Sequence, residues 1–368
     1  MGILIPNKLN IIIDGQFGST GKGLAASYVG WHNHVDLAIT NASPNAGHTF
    51  YIGESKYVVK HLPVAGILNE KSTIYLCAGA IIDPLILLKE LEDFDCKDRV
   101  SIHPRAAVIE KQDIENEREG SVKKIASTRS GVGSALVRKI NRSAKLASDN
   151  SLLSPMVKEL DMGWYLRQGV TSLMEVPQGF DLSINSGLSY PHCTSREITV
   201  SSALSDAQVH PDYLGNVLVC IRTFPIRVGH IIEKRKIVGN SGPFYPDSIE
   251  TSWKGIGVNT EYTTNTKRIR RVASFSMIQY KKMLNAFKPT HVFLNFANYL
   301  SEKDLEELLE KLPEVTHVCY GPKAEDIVPV VRERTLYSRL AVKSIVVTVG
   351  GEEKESKICN DTVPFIDT

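Results

Sequence analysis

The sequence lacks the features that would place it outside a reducing, aqueous compartment. Its start carries no basic stretch leading into an apolar one, and no apolar run reaches the roughly 18 residues needed to cross a bilayer. Neither secretion nor membrane insertion is therefore expected. Cysteine is scarce: six residues in 368 (Cys77, Cys96, Cys193, Cys220, Cys319 and Cys359), none in a CxxC or CxxH spacing. That pattern argues against a structural zinc or a disulfide framework and suggests free thiols in a cytoplasm. Neither sign of charge is in excess, with 43 Lys and Arg against 41 Asp and Glu, a net of +2. No nucleic acid or anionic membrane is thus expected as a partner. Internal repeats and low-complexity linkers are also missing. What remains is a composition of 42% hydrophobic and 23% charged residues, enough to bury a large core.

The apolar runs are short and regularly interrupted. Leu9–Asp14 reads as a buried parallel strand that enters a Gly-rich stretch, Gly15 to Gly23, and then a helix to about Trp31. Val35–Thr40, Thr73–Cys77, Val100–His103, Gly215–Thr223, Thr290–Asn295 and Val315–Cys319 read as further strands. Tyr51–Leu62, with Gly53-Glu54 at its centre, reads as a hairpin. Helical spacing covers Asp83–Phe94, opened by Asp-Pro, as well as Met277–Phe287 and Glu302–Leu312. Residues 105–170 are more polar and read as a mostly helical excursion. Strands alternating with helices predict an α/β fold: one large domain over 1–368, a mainly parallel sheet, a P-loop-like phosphate loop, and helical or loop insertions. Ser344–Gly350 reads as a strand, while residues 330–368 as a whole stay unassigned.

Two stretches carry chemistry. In Asp14-Gly-Gln-Phe-Gly-Ser-Thr-Gly-Lys-Gly23, a strand runs through glycines into a helix. Backbone N–H groups, a helix N-terminus and Lys22 suit a phosphate. It is not a Walker A loop, since Gly23 stands where that motif needs Ser or Thr for a metal. The other reading is a tight turn with an exposed lysine. Pro44-Asn-Ala-Gly-His-Thr49 follows the next strand. There His48 is either an exposed acid at a strand end or merely a satisfied polar group.

These segments resemble the signatures of adenylosuccinate synthetases, Gly-Asp-Glu-Gly-Lys-Gly and Asn-Ala-Gly-His-Thr. The resemblance continues in order over residues 9–327. His61-Leu-Pro-Val-Ala-Gly-Ile-Leu68, Thr128-Arg-Ser-Gly-Val-Gly133 and Val176-Pro-Gln-Gly179 each match a family element. So do Tyr190-Pro-His-Cys-Thr-Ser195, Arg227-Val-Gly229 with Gly242-Pro-Phe244, and Thr263-Thr-Asn-Thr-Lys-Arg-Ile-Arg-Arg271. Taken alone, Lys267–Arg271 would be a solvated basic loop.

The resemblance implies a homodimeric, Mg²⁺-dependent ligase that phosphorylates a purine O6 and then lets the amine of L-aspartate displace phosphate. It implies catalytic roles for Lys22, His48 and Gln178, with Ser19 at the position of the family's general base. Nucleoside triphosphate would meet Gly18, Ser19, Thr20, Gly21, Lys22, Gly23, Gly47, His48, Thr49, Phe296, Asn298 and Gly321. The purine monophosphate would meet Ser19, Asn45, Ala46, Thr128, Gln178, Thr194, Val228 and Arg270, with Arg142 reaching across from the second subunit. Thr264, Thr266, Arg268 and Arg270 would hold aspartate, a planar guanidinium fork suiting carboxylates. Ser19 and the Gly47 carbonyl would be the metal ligands.

Two departures redirect the substrates. Ser19-Thr20 replaces the family's Asp-Glu. A short neutral hydroxyl is a poor base, but it leaves room beside purine N1 for a 2-amino group and can accept a hydrogen bond from it. This resembles the phage 2-aminoadenylosuccinate branch, which uses dGMP; phage origin would make the compartment a host cytoplasm. Leu294-Asn-Phe-Ala-Asn298 replaces Leu-Thr-Lys-Leu-Asp, losing the anion that selects guanine and pointing to ATP or dATP. The alternatives are a conventional enzyme acting on IMP and a catalytically silent nucleotide-binding homologue.

Overall fold

A computed structural model describes residues 2–120, 124–263 and 266–331, together with the backbone of a separate hairpin, Ile345–Val349 with Glu352–Ser356. The chain divides after Val330, and the hairpin belongs to the second unit. The first unit opens with β1 (Leu9–Asp14), α1 (Lys22–His32), β2 (Leu37–Thr40), β3 (His48–Ile52), β4 (Ser55–Val59) and α2 (Val64–Leu68). It continues with β5 (Thr73–Leu76), β6 (Ile81–Ile82), α3 (Pro84–Asp93), β7 (Val100–Ile102), β8 (Ala107–Val108), α4 (Lys111–Glu119), α5 (Val132–Ile140) and α6 (Met162–Arg167). Then follow β9 (Ser172–Gly179), α7 (Val200–Ala207), β10 (Leu214–Arg222), four short strands β11–β14 between Ile226 and Thr251, and β15 (Arg271–Ala273). Last come α8 (Met277–Phe287), β16 (His291–Asn295), α9 (Glu302–Lys311), β17 (Val315–Cys319) and β18 (Ile327–Pro329).

Nine strands form the central sheet in the order β18-β17-β16-β10-β1-β9-β2-β5-β7. Every pairing is parallel except β17 with β18, an antiparallel edge. A parallel sheet covered on both faces needs strands that are apolar on both sides, and β1 shows why the runs are continuous. Ile12 joins the layer containing α1, α2 and α3, while Leu9, Ile11 and Ile13 join the layer containing α6, α7, α8 and α9. Burying an Ile or Leu side chain contributes about 1.5–3 kcal/mol, so these two layers hold the architecture. Among the described residues no helix is long and apolar enough to cross a membrane.

The α/β class and mainly parallel sheet agree with expectation, and so do the strands at 9–14, 73–76, 100–102, 214–222, 291–295 and 315–319. The hairpin begins at His48 rather than Tyr51 and ends at Val59. His61 is instead buried, accepting the Asp83 N–H on Nε2 at 3.2 Å. Residues 105–170 are less helical than expected: three short helices separated by loops and 3-10 turns.

The largest omission in the sequence reading is β9, which pairs with β1 at the centre of the sheet. Glu175 and Pro177 hid it, because neither suits a central strand. The structure accommodates Pro177 in an irregularity: Ile12 pairs with Glu175, yet Asp14 pairs with Gly179. Gln178 falls within this bulge with φ of 71°, a left-handed conformation that non-glycine residues seldom adopt.

Candidate active site

Parallel strands place their carboxyl ends on one edge of a sheet, and ligands bind there. Here that edge collects the phosphate loop after β1, the 41–48 segment after β2, Gln178 at the end of β9, Arg222 at the end of β10 and Phe296 after β16. A cleft of about 270 Å³ opens among these segments. Its walls include Gly18, Ser19, Gly21, Lys22, Gly23, Asn45, Ala46, Gly47, His48 and Thr49. Thr128, Gln178, Val228, Thr266, Arg270 and Phe296 complete the set of expected residues that line it.

The loop takes its shape from Gly18, Ser19 and Gly21, all left-handed with φ of 83°, 53° and 82°. Gly21 caps α1, so the helix N-terminus faces the cleft. Side chains beneath tie down the loop. Asn295 donates to the Thr20 carbonyl at 2.6 Å, and Arg222 donates to the Ser19 carbonyl at 3.1 Å. Gly23 is where the Walker A Ser or Thr would sit. A Cβ there would lie 2.5 Å from the Thr49 carbonyl oxygen, so glycine lets α1 pack against β3. The phosphate loop is thus held from the β3 hairpin.

Lys22 is not an exposed lysine, and His48 is not an exposed histidine. Both are buried, with Lys22 Nζ 2.6 Å from His48 Nε2. Burial, reinforced by the Lys22 charge, holds the His48 pKa well below the usual histidine range. The ring is therefore neutral in the free protein. On its other side Glu175 Oε2 lies 3.8 Å from Nδ1. Asp14 completes the buried cluster: burial pushes its carboxyl up to about 6, against the opposing pull of Lys22 and a hydrogen bond at Thr20.

At the Phe296 end of the cleft, the Arg222 guanidinium sits 4.0 Å from the centroid of the Phe296 ring. Arg222 also donates to Glu261 at 2.5 Å, and Tyr299 donates to the same carboxylate oxygen at 3.1 Å. Glu261 in turn lies 3.9 Å from Arg270, whose Nε donates to the Tyr262 carbonyl at 3.2 Å. Burial lowers the Arg270 pKa to about 10, with Glu261 raising it and Arg222 adding to the fall. Arg268 donates to the Gly229 carbonyl at 3.2 Å and to that of Ala126 at 3.4 Å. The Thr263 and Thr266 hydroxyls are 2.7 Å apart.

Several expected residues stand apart from the cleft wall. The Thr20 hydroxyl turns inward to donate to Asp14. Thr194 is not on the wall itself, but its N–H donates to the carbonyl of Leu182, which lines the cleft. Asn298 is exposed on the 297–299 turn, Gly321 lies beyond β17, and Arg268 approaches from behind Gly229. Arg142 is exposed just past α5 and donates to Ile140 in its own turn. Thr264 lies outside the described residues. Conversely, Asp14, Glu175, Arg222 and Glu261 were not anticipated. Each of the first three is a lone charge within or ending an apolar run that becomes a buried strand, and that was the available signal.

Among the described residues no three His, Cys, Asp or Glu side chains come together as a metal cage. Ser19, Gly47 and Asp14 nevertheless offer hydroxyl, carbonyl and carboxylate oxygens at the cleft wall. Such a sparse, hard-oxygen set fits magnesium, which usually takes one or two protein ligands and completes its shell with phosphate and water.

A family model for adenylosuccinate synthetase matches residues 11–162. The N6-succino-2-amino-2'-deoxyadenylate synthase of Salmonella phage PMBT28 is 33% identical over 362 residues, covering 87% of this chain and 97% of the relative. The adenylosuccinate synthetase of Pyrococcus sp. (strain ST700) is 34% identical over 285 residues, covering 75% of this chain and 80% of the relative. Among solved structures, the succinoaminodeoxyadenylate synthetase of cyanophage S-2L, bound to dGMP and to dATP as an energy donor, superposes with a TM-score of 0.80. It is 34% identical and covers 88% of this chain and 96% of that one.

Proposed function

The chain belongs to the adenylosuccinate synthetase family, and from that premise we propose that it couples L-aspartate to C6 of dGMP at the expense of ATP or dATP. The products are N6-succino-2-amino-2'-deoxyadenylate, ADP or dADP, and phosphate. One observation carries the choice of substrate. Ser19, a small neutral residue, stands exposed on the cleft wall where the family has an aspartate, while Lys22, His48 and Gln178 line the same wall. A purine carrying a 2-amino group fits beside a serine, and the hydroxyl oxygen accepts from that group. The cyanophage relative that superposes on this chain was solved with dGMP and dATP, which supports both nucleotides.

The reaction is a phosphoryl transfer followed by a displacement. The γ-phosphoryl group needs donors aimed at its developing charge, and the 18–21 loop N–H groups with Lys22 supply them. Magnesium held against Ser19 and the Gly47 carbonyl would add charge neutralisation at the phosphates. His48 and Gln178 meet the purine O6 that receives the phosphoryl group. A neutral imidazole at this point can accept, and it takes up the proton that the attacking amine sheds as phosphate leaves. Arg268 and Arg270 orient the aspartate carboxylates so that its amine attacks C6. Arg270 is held in place by Glu261 and the Tyr262 carbonyl.

Arg142 is exposed and does not line its own cleft, so a role at the 5′-phosphate calls for a second subunit, and we take the working form as a homodimer in a cytoplasm. Incubating the enzyme with dGMP, aspartate and ATP tests the reading: the condensed nucleotide, identified by mass, should form with one phosphate released per product. Phosphate release that does not need aspartate, or a better reaction with IMP, would overturn it.

A further inference from the structure

The chemistry above leaves the buried acid beside His48 unused. Glu175 lies on β9, three residues before Gln178, and is fully buried. Its Oε1 accepts the Ala65 N–H at 2.8 Å, at the start of α2. Its Oε2 is also buried and has no hydrogen-bond partner among the described residues, a condition proteins seldom leave uncorrected. That open oxygen lies 3.8 Å from His48 Nδ1.

The other ring nitrogen decides what Nδ1 carries. Lys22 Nζ lies 2.6 Å from Nε2, and an ammonium group has only donors. Nε2 is therefore the acceptor in the free enzyme, and the single proton of the neutral ring sits on Nδ1, facing Glu175. Three elements converge on this ring: α1 with Lys22, β9 with Glu175, and β3 with His48 itself.

We infer that Glu175 is a positioning residue, whose carboxylate accepts the Nδ1 proton of His48 and so fixes the ring's tautomer and orientation with Nε2 toward the cleft. The 3.8 Å separation lies just outside hydrogen-bond range, so this role requires the ring to shift toward Glu175 once nucleotide is bound. A carboxylate behind a working histidine supplies what distance alone cannot: one tautomer and one rotamer. The inference rests on the proposed role of His48 at O6.

Glu175→Gln separates positioning from simple helix capping. The amide oxygen still accepts from Ala65, but the NH₂ now faces Nδ1 while Lys22 still donates to Nε2, so neither tautomer satisfies both neighbours. The expected result is an unchanged thermal midpoint and a kcat lower by about 10- to 100-fold, with KM values for dGMP and ATP little altered. The ¹⁵N imidazole spectrum, with the His48 signals identified by their loss in His48→Ala, should show Nδ1–H alone in the wild type and a mixture of tautomers in Glu175→Gln. Glu175→Asp, which keeps the carboxylate, should retain Nδ1–H and turn over faster than the Gln variant. A Gln variant with wild-type kcat, or an Nε2–H tautomer in the wild type, would overturn the inference. The tautomer needs no substrate for its measurement, and wild-type turnover of dGMP in the same assay reports on the functional reading alone.

Discussion

Replacing Gly179 by alanine should damage the enzyme through a single methyl group. Gly179 has φ of −118° and ψ of 152°, a conformation open to any residue, so the demand for glycine is purely spatial. A Cβ built there lies 2.1 Å from the Gly18 nitrogen, 2.3 Å from the Gln16 carbonyl oxygen and 2.7 Å from the Phe17 carbonyl carbon. All three atoms are backbone of the phosphate loop, so no side chain can rotate away. Ordinary contact starts at 3.4 Å, so the loop or the end of β9 must retreat by about 1 Å, a displacement able to cost ~100-fold in rate. The loop is poorly free to move, since Gln16 accepts from the Arg222 N–H at 3.0 Å and Asn295 grips Thr20. Overpacking of this kind costs about 1–3 kcal/mol. Gly179→Ala is therefore expected to lose about two orders of magnitude in kcat/KM along with several degrees in Tm. Gly163→Ala, in α6 where the nearest new contact is the flexible Arg167 guanidinium at 3.3 Å, should change neither. Steady-state kinetics and thermal melts on the same preparations read both quantities. A Gly179→Ala enzyme matching wild type in both would refute the claim that β9 abuts the loop this closely.

His48→Ala should lower kcat by about 10²- to 10⁴-fold while weakening nucleotide binding far less; equal losses in kcat and in calorimetric affinity would remove His48 from the chemistry. Phe296→Ala should weaken ATP by about 1–3 kcal/mol and leave dGMP binding unchanged, and Asn298→Asp should move the preference toward GTP, both read by titration calorimetry. The Asp14 carboxyl, raised from 3.8 to about 6 by burial, stays protonated in the ligand-free native state where the unfolded chain has already released its proton. Stability should thus fall as pH rises from about 4 to 6 and level off above. Asp14→Asn should flatten that decline by up to about 3 kcal/mol, and urea midpoints at pH 4.5 and 7 that shift in parallel for both proteins would contradict it.

Most of the sheet was legible because both faces are covered, which turns parallel strands into uninterrupted apolar runs. The phosphate loop and the His48 segment were legible for a related reason: glycine and histidine directly after such a run mark the edge where ligands bind. Burial was not. His48 read as an exposed group and a surface lysine was the alternative reading of Lys22, since nothing local announces that the β3 hairpin packs against Gly23. Glu175 and Arg222 drew no reading because their partners, His48 and Glu261, are far away in sequence. Pro177 disguised a central strand, and only the pairing of Asp14 with Gly179 shows how the bulge admits it. Arg142 illustrates the opposite case. The resemblance singled it out, and a single chain places it at the surface, where its proposed work depends on a second copy.

Substrate choice at Ser19 is the central claim, and competition for one cleft tests it most directly. With aspartate and ATP held saturating, kcat/KM for dGMP and for IMP should be measured on one enzyme preparation by phosphate release. The account predicts a strong preference for dGMP, which Ser19→Asp should erode or reverse. An IMP value equal to or above that for dGMP in the wild type would contradict it.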